Sequence, residues 1–253
     1  PALAHALRGL RSAGFATALV KAPVSCAGRN RRQLPTDPPL GATHAAWVAA
    51  NLATHGRLLV EPWFDRLFDF SLHFDLGPDG ARFRGAVQIY NTAAGTWRAC
   101  VAQPVLGSGT PHARFLHEGS PSRLERLAAA LQTRLPDWLG RGHPAGPVGV
   151  DAFLCRLPSG ETALQPLSEI NPRRTLGRAL IDAMRHAGSG RAGRLRFEPP
   201  SGQLPRAQRD AAGSLARARI PLDGGTATGH SIPVWSVAPR TGEFEEPGGP
   251  GNP

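Results

Sequence analysis

Residues 146–174 read GPVGVDAFLCRLPSGETALQPLSEINPRR, two apolar segments, GVDAFLCR and TALQPLSEI, on either side of a turn at LPSGE. This is the signature of a β-hairpin. Side chains alternate along a strand, so Glu169 and Asn171, two apart, belong to one face at the end of the second segment. A turn centred on Gly160 sets Asp151 directly across from Glu169, and one side of the hairpin then gathers two carboxylates and a carboxamide. Carboxylates held together repel and neutralise unless a cation lies among them. An all-oxygen set of this kind suits Mg²⁺, which takes carboxylate, carbonyl, water and phosphate oxygens. The same residues are equally compatible with a strand edge that faces water.

Two upstream segments bear on the same chemistry. In VKAPVSCAGRN (20–30) a strand ends on Lys21 and runs into a loop of small residues. Small side chains let backbone N–H groups approach phosphate oxygens, and an ammonium neutralises them as a point charge. GxxxxGK[ST] is absent, so this is no Walker A loop, and an ordinary turn accounts for it as well. In LLVEPWFDRLFDFSL (58–72) an acidic residue closes an apolar strand and aromatics follow. Glu61 and the backbone after it suit the edge of an adenine, Trp63 or Phe64 its plane, and Asp69 the hydroxyls of a ribose. Trp63, Phe64, Phe68 and Phe70 also read as plain core.

Around these segments the periodicity predicts helices over 1–13, 42–54, 121–139 (capped by Ser120 or Ser122), 175–187 and 205–217. Strands are expected over 15–24, 57–64 and 231–238. A half-buried strand carrying Phe68, Phe70, Leu72 and Phe74 opens a meander through Ile89 and Trp97. That order implies an α+β fold with antiparallel sheets. The 253 residues suffice for one large domain or two small ones without disulfides.

Of the 29 cationic residues only Lys21 is a lysine, which leaves 28 arginines and points to coding bias. The net charge of +10 therefore says little about partners, and the arginines are scattered from Arg8 to Arg240 without a long basic run, so nucleic-acid binding is the weaker alternative. Cys26, Cys100 and Cys155 are far apart and odd in number, which argues against a disulfide framework and for a reducing, cytoplasmic setting. CxxC, HxH and HExxH are all absent, so a His/Cys metal site has no support. His5, Arg8 and Arg11 interrupt the apolar start, which is unlike a signal peptide, and no run of about 18 apolar residues predicts a membrane span. A start at Pro1 fits a fragment.

Taken in order, LVKAPVSCAGR, LLVEPWFDRLFDFSL and GPVGVDAFL with LQPLSEINPRRTLGR resemble the ATP-grasp superfamily of ATP-dependent carboxylate-amine ligases, over about residues 1–190. EINPR (169–173) is the most specific part. The resemblance implies two α+β subdomains whose antiparallel sheets sandwich the nucleotide, with ATP and Mg²⁺ (Mn²⁺ possible in its place) as cofactors. It implies that Lys21 contacts the phosphates, that Ser25, Ala27, Gly28 and Arg29 lie on the loop covering them, that Glu61 through Phe64 is the adenine hinge and that Asp69 binds ribose. Asp151, Glu169 and Asn171 then match metal ligands, and Arg173 an arginine facing the phosphate or an acyl phosphate. The substrates implied are a small-molecule or peptide carboxylate and an amine, and a non-catalytic ATP-binding module is the alternative.

The expected layout is an ATP-grasp domain over 1–195, an extension over 196–241 packed on it, and a disordered tail over 242–253. The departures are a second phosphate-binding lysine and an N-terminal domain, neither found here, a single glycine in the loop, and Gly149 where many members carry Arg or Lys.

Overall fold

The computed structural model describes residues 2–23, 30–37, 39–92, 96–140, 142–187, 190–198, 207–209, 215–219 and 232–238. Ser25, Ala27, Gly28 and Arg29 of the expected phosphate loop, and the tail from 242, lie outside them. The chain divides into two units: Pro1–Leu67 with Ala93–Thr96 and Cys155–Ala163, and Phe68–Thr92 with Trp97–Leu154 and Leu164–Pro253.

In the first unit, α1 (Ala2–Ser12) precedes β1 (Thr17–Lys21), β2 (Arg31–Pro35), α2 (Ala42–His55) and β3 (Leu59–Pro62). The strands form an antiparallel sheet in the order β2-β1-β3. Val20, Leu34 and Val48 make its buried centre, with Leu3, Trp47 and Val60 packed around them. Gly56 ends α2 in a left-handed conformation (φ 68°) that only glycine adopts without cost, and its N–H closes on the Leu52 carbonyl. Arg31 and Arg32, just beyond the loop of small residues, belong to β2. An edge strand tolerates charged side chains because one side of its ladder faces no neighbour, and the Arg32 guanidinium lies over the Trp47 ring.

The second unit is built on β4 (Asp65–Gly77), β5 (Gly80–Asn91), β6 (Trp97–Ala102), β7 (Gly146–Arg156), β8 (Thr162–Asn171), β9 (Ala192–Glu198), β10 (Ala207–Arg209), β11 (Leu215–Arg219) and β12 (Ile232–Ala238), the first residues of β4 and the hairpin tip of β7 and β8 counting with the first unit. Their sheet runs β10-β11-β12-β9-β6-β5-β4-β7-β8. Its helices are α3 (Pro111–His117), which the periodicity did not reveal, α4 (Arg123–Leu139) and α5 (Leu176–Met184). α4 starts as expected at Ser122, in a full capping box with Glu125. The helix expected over 205–217 is absent where the chain is described, since 207–209 and 215–219 are strands that extend the sheet through β12.

β4 is not half-buried as the alternation suggested, because Phe70 through Phe74 are buried on both faces. On the face with Asp69, Ser71 and His73, α5 packs Leu176, Leu180 and Ile181 onto Val87, Cys100 and Leu195. On the other face Phe68 meets His112 of α3, and Phe74 meets Phe83.

Candidate functional site

Lys21 closes β1. Its direct partner on β3 is Leu59, and Glu61 is the diagonal neighbour on the same side of the sheet. A lysine stem spans such a diagonal, and Nζ sits 2.5 Å from the Glu61 carboxylate with 21% of the Lys21 side chain exposed. The two residues expected at opposite ends of a nucleotide therefore form one ion pair. Glu61, more open to solvent, shares β3 with Pro62, which has no N–H, while the Trp63 N–H already donates to the Thr17 carbonyl. Phe64 packs edge-on against Phe15 at 5.5 Å.

The tip of the β7–β8 hairpin closes through Leu157 N–H to the Glu161 carbonyl, at 2.9 Å. That bond centres the tip itself on Ser159, one residue before Gly160. Along the strands Asn171, two residues beyond Glu169, reaches Asp151, its Nδ2 donating to Asp151 Oδ2 at 3.2 Å. Arg173 Nη2 donates to Asn171 Oδ1 at 3.0 Å, and its backbone N–H bonds the Asn171 carbonyl at 2.8 Å. Both ends of the carboxamide are thus engaged, which fixes its orientation. Asn171 is buried at 8% exposure, whereas Glu169 and Arg173 are exposed, so Glu169 and Asn171 differ in environment although two apart.

Gly149 abuts His73 and the N-cap residue of α5, Thr175. A Cβ there would stand 3.1 Å from Thr175 Cγ2 and 3.4 Å from His73 Nδ1. The space that a cationic side chain at this position would need is occupied by the imidazole. Asp151, two residues on, shares that face, and so does Asp69, whose Oδ2 accepts from Asn91 Nδ2 at 2.8 Å. Asn91 was not foreseen. It becomes visible only when β4 and β5 are laid in register.

His73 was also missed, although Asp69, Ser71, His73 and Asp75 alternate with the β4 apolar residues and mark a second, polar row. Its Nδ1 lies 3.4 Å from the Thr175 hydroxyl, and Nε2 is buried without a partner. Burial first, then the Arg178 guanidinium, lower its pKa from 6.5 to about 4, against an opposite pull from Asp182. Arg178 in turn forks onto Asp75 (2.5 and 3.3 Å) and reaches Asp182 at 3.0 Å. That fork holds the Asp75 carboxyl below its usual range.

Among the described residues no group of three or more His, Cys, Asp or Glu side chains is placed to hold a metal. Asp151 and Asn171 each carry a hard oxygen, although here the amide nitrogen of Asn171 faces the carboxylate and its oxygen is held by Arg173. Oxygens of this kind suit Mg²⁺, which binds through one or two protein oxygens and completes its shell with water and substrate phosphates. Among the described residues no helix is long and apolar enough to cross a membrane.

No protein-family model matches the sequence, and no curated protein matches it. Solved structures do. The biotin carboxylase domain of a 2-oxoglutarate carboxylase from Hydrogenobacter thermophilus, solved with MgADP, ADP and bicarbonate, is similar with a TM-score of 0.56 at 13% identity, over 94% of this chain and 56% of that one. A pyruvate carboxylase from Rhizobium etli, with acetyl coenzyme A, follows at 0.52 and 13%, over 88% of this chain and 22% of that one. Biotin carboxylase from Campylobacter jejuni, in complex with β,γ-ATP, gives 0.50 and 10%, over 88% and 53%. The chain thus spans little more than half the length of the first of these. With helices and antiparallel sheets that follow these biotin carboxylases along nearly all of its own length, the chain has the α+β fold of the ATP-grasp superfamily.

Proposed function

We propose that the chain binds ATP with Mg²⁺ and serves ATP-dependent ligation of a carboxylate to an amine or similar nucleophile. The observation that carries this reading is the Asp151–Asn171–Arg173 chain of hydrogen bonds, formed by the EINPR segment in an ATP-grasp fold.

In this reading Lys21 neutralises phosphate oxygens and Glu61 accepts from the adenine amino group. A nucleotide then separates the pair by giving each a new partner. Asp69, held by Asn91, accepts from ribose hydroxyls. Asp151 and Asn171 hold the metal, with Glu169 as a further carboxylate from the exposed side of β8. When bound, Mg²⁺ offsets phosphate charge and aligns the phosphates. A substrate carboxylate oxygen attacks the γ-phosphorus and ADP leaves. The nucleophile then attacks the acyl carbon and phosphate leaves. Arg173 stabilises charge on the transferred phosphoryl oxygens, and no side-chain nucleophile is required.

Thermal unfolding of the full chain with ATP and MgCl₂ tests the reading. At a hundredfold excess over Kd, binding adds about 2.7 kcal/mol, a clear rise in Tm. An absent shift, or one unchanged by Asp151→Asn combined with Asn171→Ala, overturns it. ADP release with paired carboxylates and amines separates a ligase from a module that only binds ATP.

A further inference from the structure

We propose that Arg173 and the metal compete for Asn171, so that arrival of the metal releases the Arg173 guanidinium toward the phosphates. This rests on the ATP and Mg²⁺ reading above and specifies how that site is regulated. Asn171 has one side-chain oxygen. It accepts from Arg173 Nη2 at 3.0 Å, while the amide nitrogen is committed to Asp151 Oδ2. The carboxamide cannot flip to offer a fresh oxygen without turning its nitrogen toward the guanidinium and its oxygen toward the carboxylate, two donors facing each other and two acceptors likewise.

Oδ1 does have two lone pairs, but sharing it would place a divalent cation and a guanidinium on the same atom. At such a separation like charges repel strongly wherever water screens them poorly, and Asn171 is buried. The weaker-held group leaves, and that group is Arg173, whose side chain is exposed and on which Asn171 exerts only a neutral-acceptor bond. The backbone bond from Arg173 N–H to the Asn171 carbonyl holds the turn while the side chain swings. With the metal absent, the guanidinium is a stand-in cation that keeps Asn171 and Asp151 in place. With it present, the same arginine is free for an anionic ligand. Metal occupancy and delivery of Arg173 thereby become one event.

The test is Mn²⁺ affinity, measured by electron paramagnetic resonance on the ADP-saturated full chain. Arg173→Met removes the competitor and is expected to tighten Mn²⁺ by about two- to fivefold, the size of a partly solvated charge contact. The same change on an Asn171→Ala background, where no oxygen is contested, is expected to leave Mn²⁺ affinity unaltered. Unchanged or weaker Mn²⁺ binding by Arg173→Met overturns the competition. An equal gain on both backgrounds also overturns it, since Arg173 would then act through its charge alone. If the parent chain binds neither ADP nor Mn²⁺, the ATP and Mg²⁺ reading itself fails, a result distinct from the other two.

Discussion

Acidification from pH 7 to 5 should destabilise the second unit through His73. The imidazole is 1% exposed, lies between Gly149 and Gly177, and takes Thr175 as its hydrogen-bond partner. Its folded pKa of about 4 lies below the 6.5 of the unfolded chain. Between those values the unfolded state binds more protons, so stability rises with pH, is complete above 6.5 and is lost as pH falls toward 4. At about 1.4 kcal/mol per pH unit the whole gap corresponds to about 3 kcal/mol. By pH 5 the unfolded histidine is almost fully protonated and the folded one barely so, which already places about 2 kcal/mol of the loss in the window from pH 7 to 5. Asp75 does not confuse this window. Its carboxyl is held below the usual range by Arg178, so the stability it adds persists above the ordinary value of 3.8 and is lost only as pH falls beneath that. Urea unfolding at pH 7, 6 and 5 measures the slope, with His73→Leu as the comparison that cannot titrate. If the wild type shows no loss, or the leucine variant loses as much, the burial argument is wrong.

Gly177→Ala tests the same packing from the helix side. A Cβ there would lie 2.5 Å from His73 Nε2 and 2.8 Å from Val87 Cγ2, so despite the better helix propensity of alanine the variant should be less stable by roughly 1–3 kcal/mol, and His73→Ala should relieve part of that in a double-mutant cycle. Arg178→Met removes the fork to Asp75 and the bond to Asp182, at an expected cost of roughly 2 kcal/mol by urea unfolding, reduced because Asp75 is partly solvated. Ser122→Ala should cost roughly 1 kcal/mol through loss of the α4 cap, whereas Ser120→Ala should cost nothing comparable, since Ser122 alone accepts from Glu125 N–H. Lys21→Ala should weaken ATP binding by orders of magnitude in calorimetry, while Glu61→Gln, which breaks the ion pair and keeps the hinge shape, should weaken it less.

What could be read from the sequence follows how local each determinant is. The period of Leu124, Leu127, Leu131 and Leu135 and the Ser122 cap lie within one helix, and α4 formed where they pointed. The residues 207–209 and 215–219 show the opposite case. Alanine- and arginine-rich stretches favour helix by intrinsic propensity, yet here they extend a sheet by pairing with one another and with β12, a choice made by partners outside each stretch. β4 was misjudged for the same reason. Polar residues alternating with phenylalanines read as a solvated face, and it is distant elements that bury them, α5 against His73 and β7 against Ser71, whose hydroxyl donates to the Val150 carbonyl.

The same distinction runs through the candidate site. The residue types at Lys21, Glu61, Asp69, Asp151, Asn171 and Arg173 could be selected from the chain alone, but their present partners could not. Lys21 meets Glu61 because β1 and β3 pair with Leu19 opposite Glu61, a register that no local pattern specifies. Asn171 reaches Asp151 through its amide nitrogen, a side-chain contact that residue type and spacing do not specify. What the chain does carry locally is the identity of the strand ends, and two strand ends with three polar side chains are enough to nominate a metal and phosphate site. The geometry then adds what identity cannot. In the first unit Lys21 is already paired with Glu61, and in the second Asn171 is already paired with Arg173, so an anion at the lysine or a metal at the carboxamide would each have to exchange partners with this chain's own side chains.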